Sequence, residues 1–118
     1  MAVALKSTGV QFPDGTNQIK KAYGVGTNQS WVNMTASRVA ATTYTNTTER
    51  PIMISVITTA GNTTIDARLI VDGLQISKYV NNPNSSGIRH TITGLVPVGS
   101  TYSVTLVNTS VEKWMELR

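Results

Sequence analysis

The sequence predicts an all-β protein, an antiparallel β-sandwich of jelly-roll type with about seven or eight short strands. Three observations support this fold class. Thr, Asn, Ser and Val dominate the composition, and polar β-branched side chains favour a pleated, half-exposed surface. Short runs of alternating polar and apolar residues recur along the chain. Turn-forming residues separate these runs at regular spacing.

The segment PIMISVIT, residues 51–58, is apolar on both faces. Ile52 and Ile54 lie on one face of the predicted strand, and Met53 and Ile57 lie on the other. A strand that is apolar on both faces is buried on both faces. In so small a sandwich we expect the second face to be covered by another layer or by another subunit.

The segments 65–71 and 74–80 are predicted to form a β-hairpin, because Asp72-Gly73 between them is a preferred pair for a two-residue turn. Other Gly-, Pro- or Asn-containing segments mark the remaining turns and corners. Further strands are predicted at IRHTI (88–92), TYSVTLV (101–107) and VEKWMELR (111–118).

The N-terminal part of the chain falls outside this strand pattern. Residues 9–18, GVQFPDGTNQ, are extended and rich in turn formers, and they cannot build a core of their own. We therefore divide the chain into an extended stem, residues 1–24, and a sandwich, residues 25–118.

Charge and apolar patterning exclude several classes of protein. The chain has 10 Lys and Arg against 6 Asp and Glu, but the basic residues are scattered and only Lys20 and Lys21 are adjacent. We expect no nucleic-acid binding, because no basic stripe could follow a phosphate backbone. No apolar run resembles a signal peptide or a transmembrane helix, so we expect a soluble protein without membrane insertion.

The sequence offers little for catalysis or metal binding. A glycosidase needs two positioned carboxylates, and of the six acidic residues Asp72 is already assigned to its turn. With one histidine, His90, and no cysteine, we expect no metal site within one chain and no cofactor. A packed, hydrogen-bonded His90 is the expected role, and an ion held by several His90 side chains on a symmetry axis is the alternative. We expect no enzymatic activity.

Binding is the remaining function, and carbohydrate sites use aromatic faces together with short polar side chains. The loops 58–64 and 81–87 are rich in Asn, Ser and Thr, although either could be only a solvated turn. We expect Trp31 to be structural and Trp114 to be either an intersubunit contact or an exposed stacking platform. The candidate receptor-binding residues are Asn62, Tyr79, Asn81, Asn82, Asn84, Ser85, Arg89 and Trp114.

Several motifs occur in a characteristic order. They are FPDGTNQ, WVNMTASR, YTNTTERPI, RLIVDG, VPVGSTYSV and KWMEL. In this order they resemble the C-terminal receptor-binding tip of tail-fibre proteins from tailed bacteriophages and prophages, over nearly the whole chain. The resemblance implies a homotrimer with an intertwined stem, on the virion at the distal end of the tail fibre. It also implies that the tip binds host surface polysaccharide, lipopolysaccharide or capsule, and joins upstream shaft or baseplate proteins.

A trimer would also bury apolar side chains that one chain leaves without cover. The candidate interface residues are Leu5, Val10, Phe12, Ile19, Ile52, Ile54, Met53 and Ile57. Two alternatives stay open at this point. One is a trimerisation cap without host contact, and the other is a trimeric ligand or lectin of similar shape from a non-viral source.

Overall fold

The computed structural model describes residues 4–6, 9–15, 17–18, 24–61, 63–81 and 87–118, and only the backbone of 4–6, 9–10 and 17–18. The described residues contain β-strands and no helix. The strands are β1 (Ala4–Lys6), β2 (Gly9–Gln11), β3 (Asn17–Gln18), β4 (Trp31–Asn33), β5 (Tyr44–Thr45), β6 (Ile52–Thr58), β7 (Asp66–Val71), β8 (Leu74–Val80), β9 (Thr91–Val96), β10 (Thr101–Val107) and β11 (Val111–Leu117).

Strands β4 to β11 form two four-stranded antiparallel sheets that pack face to face. The first sheet has the order β4-β11-β6-β9, and the second has the order β5-β10-β7-β8. Apart from the β7–β8 hairpin, each strand is followed by one in the opposite sheet, and this arrangement of eight strands is that of a jelly roll. The predicted fold class is therefore confirmed.

The core lies between the two sheets and follows the period-2 alternation of the strands. Ile52, Ile54 and Val56 of β6 are fully buried, opposite Ala67 and Leu69 of β7. The prediction that Ile52 and Ile54 form a trimer interface is wrong, because the second sheet already covers them within one chain. Their neighbours on the other face of β6 are only half-buried.

The β7–β8 hairpin forms as predicted. Asp72 and Gly73 have φ values of 51° and 78°, which is the left-handed pair that a tight hairpin turn requires. The Asp72 carboxylate accepts hydrogen bonds from the Ser100 hydroxyl at 2.7 Å and the Thr101 N–H at 2.9 Å. These bonds hold the pKa of Asp72 below its usual value and attach the turn to the start of β10.

The first three strands form a separate small antiparallel sheet of order β1-β2-β3, which we call the stem strands. Each strand has only two or three residues. Gly15, at φ 87°, donates its N–H to the Phe12 carbonyl in the β2–β3 turn, and the Phe12 side chain is exposed. The predicted interface residue Ile19 and the side chains of Leu5 and Val10 lie outside the described residues.

Candidate functional site

The two ends of the sandwich carry different features. At one end the linker, residues 24–30, joins the stem strands to β4. Ser30 exchanges two backbone hydrogen bonds with Arg118, both 3.1 Å, and the Gln29 amide donates to the Leu117 carbonyl. The Arg50 guanidinium donates to two backbone carbonyls of the linker. We call this the stem end.

The predicted receptor loops lie at the opposite end, which we call the loop end. Strand β6 runs away from the linker, so the segment that follows Thr58 lies far from the linker. The C-terminal ends of β8 and β10 lie at this same far end of the sandwich. An antiparallel bridge joins Gly61, within the first predicted loop, to Ile88, which directly follows the second. The loop end comprises the described residues of 59–65, 81–90 and 108–110.

Short polar side chains hold the loops of this end together. The Thr59 hydroxyl lies 3.2 Å from the hydroxyls of both Thr109 and Ser110, and the Thr109 hydroxyl donates to the Thr59 carbonyl at 2.9 Å. The Asn108 amide donates to the Thr64 carbonyl at 2.9 Å. Part of the Asn, Ser and Thr content of the loops therefore serves structure.

Asn81 has a structural role. It is 5% exposed, and its side-chain oxygen accepts the N–H of Ile65. The Asn81 N–H in turn donates to the Ile65 carbonyl at 3.1 Å. The prediction that Asn81 contacts a receptor is wrong, because its polar atoms close the segment between β6 and β7.

Tyr79 also points into the sandwich rather than out of it. It lies opposite the buried Ala67 in the strand register, and its ring stacks on His90 with a centroid distance of 3.4 Å. His90 therefore covers one face of the Tyr79 ring, and that face is not available to stack on a sugar.

His90 is packed as predicted, with 7% of its surface exposed, but the hydrogen bonding expected of it is incomplete. Among the described residues, its Nε2 atom is buried without a hydrogen-bond partner. Burial lowers the pKa of His90, because the charged imidazolium loses its hydration.

Arg89 is the candidate that the described loop end leaves at the surface. Its side chain is 58% exposed, and its Nε atom lies 2.8 Å from a carboxylate oxygen of Glu112, whose side chain is 38% exposed. An exposed pair of this kind contributes about 0–1 kcal/mol to stability. Four further candidates, Asn62, Asn82, Asn84 and Ser85, lie outside the described residues.

Trp114 is fully buried, so the prediction that it is an exposed platform or an intersubunit contact is wrong. Its indole N–H donates to Glu116 Oε1 at 3.2 Å, and the Tyr102 hydroxyl donates to the same oxygen at 2.9 Å. Arg38 Nε lies 2.8 Å from that oxygen, and Arg118 Nε lies 3.4 Å from Oε2. The side chain of Glu116 is inaccessible to solvent, so four neighbouring groups replace its hydration.

Residues from four of the motifs that carry the tail-fibre resemblance meet around this carboxylate. Tyr44 packs edge-on against Trp114 with a centroid distance of 6.1 Å, and the Arg38 guanidinium lies 4.6 Å from the Tyr44 ring centre. Burial and the charge of Glu116 raise the pKa of Tyr102 to about 12. These motif residues build the scaffold of the stem end and offer no exposed site.

Asn46 joins two of the motifs in the same way. It is 1% exposed, and its amide donates to the carbonyls of Arg50, Val96 and Pro97. Its side-chain oxygen accepts the N–H and the hydroxyl of Thr48. One buried amide therefore satisfies the backbone of two loops at the stem end.

The sandwich also has an open cleft of about 350 Å³ between the segment after β4 and the β10–β11 turn. Val39, Leu106 and Val111 supply much of its lining. The hydroxyls of Thr35 and Thr109 at its rim already bond within the protein. The cleft therefore presents few unused polar groups to a ligand.

The described part of the chain contains no group of three or more His, Cys, Asp or Glu side chains that could hold a metal ion. Nor does it contain a helix of sufficient length and apolar character to cross a membrane.

The two tryptophans have the reverse of the exposure that the sequence suggested. Trp31, expected to be structural, is 51% exposed on the outer face of the first sheet. The only signal for this in the sequence is its position, since Trp31 opens the sandwich directly after the linker.

No protein-family model matches the chain, and a comparison with curated proteins finds no significant match.

Proposed function

We propose that this chain is the tip of a tail fibre from a tailed bacteriophage or prophage, and that it attaches the virion to the host surface by binding a polysaccharide. In this proposal the domain binds and does not catalyse. The observation that carries it is the opposite placement of the linker and the polar loops, at the two ends of one jelly roll. A fibre tip needs this polarity, because its shaft enters at one end and its receptor site faces the cell at the other.

Arg89 supports an anionic receptor such as lipopolysaccharide or an acidic capsule. Its ion pair with Glu112 is exposed, and exposed pairs are weak. A carboxylate or phosphate group of a sugar can therefore replace Glu112 as its partner, with two parallel hydrogen bonds to the guanidinium.

The stem strands support the homotrimeric part of the proposal. Sheets of two- and three-residue strands have little stability of their own, so strands of neighbouring copies are needed to complete them. A closed ring of three copies also ends growth. Three weak polysaccharide sites on one rigid tip then act together and give firm attachment, and upstream shaft or baseplate proteins continue the fibre.

The experiment is binding of the fluorescently labelled full chain to a panel of bacterial strains, with purified lipopolysaccharides and capsular polysaccharides as competitors. We expect saturable binding to some strains and competition by the polysaccharide of those strains. Arg89→Ala should weaken this binding about tenfold or more, because avidity multiplies the loss at each site.

Arg68→Ala is the matched control, because Arg68 is also a partly exposed arginine in an ion pair, with Asp66 at 2.6 Å. It lies on the outer face of the second sheet and should leave binding unchanged. Absence of binding across the panel would reject the receptor-binding function.

The second candidate is an assembly cap that holds three chains in register and makes no host contact. The observation that favours it is the exposure of Trp31 beside the linker. A cap would form the trimer and yet bind no strain of the panel.

A further inference from the structure

A continuous apolar row crosses the outer face of the first sheet. In the strand register Trp31 lies opposite Leu117, Leu117 opposite Met53, and Met53 opposite Leu95. Residues directly opposite each other in antiparallel strands share one face of the sheet. Ile54 and Glu116, which follow and precede Met53 and Leu117, point into the core, so the row points outward.

The row is accessible in the single chain. Trp31 is 51% exposed and Leu95 is 42% exposed, while Met53 and Leu117 between them are half-buried. One exposed apolar residue on a surface is ordinary, but a contiguous set marks an interaction surface. We call these four residues the apolar row.

The apolar character is limited to the stem end. The next row of the same face, Asn33, Met115, Ser55 and Thr93, is mostly polar. On the outer face of the second sheet, Thr105, Arg68 and Lys78 occupy one row. The row is therefore a local feature of this end of one sheet.

The linker lies directly beside the apolar row. The two backbone bonds between Ser30 and Arg118 are the next step of the ladder after the Trp31–Leu117 pair. The chain that leads to the stem strands consequently leaves the sandwich next to this row. If the stem strands of several copies are joined, the rows of those copies are held close together.

We propose that the apolar row is the contact between copies of this chain, and that three rows meet around a threefold axis at the stem end. The inference rests on the assembly part of the proposed function and names the surface that it uses. The occupant is the same row of the neighbouring copies. The row contains no charged side chain, so identical rows can approach without like-charge repulsion.

Two other exposed apolar side chains of the described residues, Leu74 and Ile76, do not extend this row. They lie on β8 of the second sheet, and Ile76 already covers Gly94 of β9. Ile57, also predicted as an interface residue, lies two rows further toward the loop end, opposite Lys113. Of the sequence-predicted interface residues on β6, Met53 is the one that belongs to the row.

The test compares Leu95→Glu with Leu74→Glu in the full chain. Both are exposed leucines on strands, at 42% and 69%, and both receive the same charge. By light scattering across a dilution series, we expect a trimer mass for the unaltered chain and for Leu74→Glu. Leu95→Glu should raise the concentration at which the trimer dissociates by at least tenfold, while circular dichroism shows an intact fold.

Each other outcome has a definite meaning. If Leu95→Glu keeps the trimer at the same dilution as Leu74→Glu, the proposed contact is wrong, although the assembly part of the function stands. If the unaltered chain is a monomer at every concentration, both the proposed contact and the proposed trimer are wrong. Binding to the bacterial panel then decides separately whether the receptor function stands.

Trp31 provides a second measurement, which is made on the unaltered chain and uses a variant only as its control. Acrylamide quenching of the unaltered chain should decrease on going from dilute to concentrated protein, because the row becomes covered. The concentration dependence should disappear in Trp31→Phe, since Trp114 is buried at all concentrations. Unchanged quenching of Trp31 in the assembled state would overturn the proposal.

Discussion

The stem end and the loop end of the sandwich are stabilised by different kinds of contact. At the stem end, buried side chains satisfy one another around Glu116 and Asn46. At the loop end, surface hydroxyls and amides tie the loops together, as in the contacts of Thr59. Residues from four of the motifs behind the tail-fibre resemblance meet at the first end, and the candidate receptor loops lie at the second.

In the proposed function, this difference explains why the motifs of the resemblance and the candidate receptor loops do not coincide. A buried network tolerates few substitutions, because each change leaves a polar group without a partner. Exposed loops tolerate many, and binding specificity can change there without loss of the fold.

Glu116→Leu should have the largest effect. It leaves Arg38, which has 14% side-chain exposure, without its anionic partner, and removes the acceptor of Tyr102 and Trp114. Removing one partner of a buried pair costs about 3–5 kcal/mol, measured as the free energy of unfolding in urea. Glu112→Leu, at the exposed pair with Arg89, should cost about 0–1 kcal/mol. Equal effects at the two positions would contradict the distinction between the ends.

Asn46→Ala should have the second-largest effect on the free energy of unfolding. It leaves the Val96 carbonyl and its neighbours without a donor in a buried position. We expect a loss of about 2–3 kcal/mol in unfolding free energy. The matched change Asn33→Ala removes an exposed amide that bonds locally to Thr35, and should cost less than about 1 kcal/mol.

Asn81→Ala should have a smaller effect, at the loop end. It leaves the buried N–H of Ile65 without an acceptor, which costs about 1–2 kcal/mol. Because Asn81 is buried, its loss should leave polysaccharide binding of the folded protein unchanged. Binding that fell tenfold in a variant with normal stability would restore Asn81 as a receptor residue.

His90 should produce the smallest effect, a loss of stability in mild acid. Its pKa in the folded state lies below the unfolded value of 6.5, so the unfolded chain binds the proton first. The free energy of unfolding should fall as the pH decreases below about 6.5, and level off once the folded state is protonated. His90→Gln should remove this step. A step that persists in the variant would assign it to another group.

Aspartates contribute in a separate pH window. The pKa of Asp72 is lowered by its bonds to Ser100 and Thr101, and that of Asp66 by Arg68. The stabilisation they provide is complete above the unfolded value of 3.8 and is lost as the pH falls through the lower folded values. The two windows are therefore separable in one titration of stability against pH.

Much of the local structure could be predicted, but the burial of several candidate residues could not. The Asp72-Gly73 turn was predictable, because its backbone requirement involves only neighbouring residues. The face of β11 was not predictable, because Trp114 shares it with Glu116, and a face with a glutamate suggests solvent. That carboxylate is buried only because Arg38, distant in sequence, meets it there together with the neighbouring Arg118.

The local pattern of the sequence is sufficient to predict a jelly-roll-like sandwich with a stem of different character, since alternation and turns act over a few residues. Which faces of the strands are inside depends on how the sheets pack. Packing buries Ile52, Ile54 and Trp114 within one chain, and leaves Trp31 in an apolar row at the surface. A period-2 pattern distinguishes the two faces of a strand, but burial depends on which strands pack over each face.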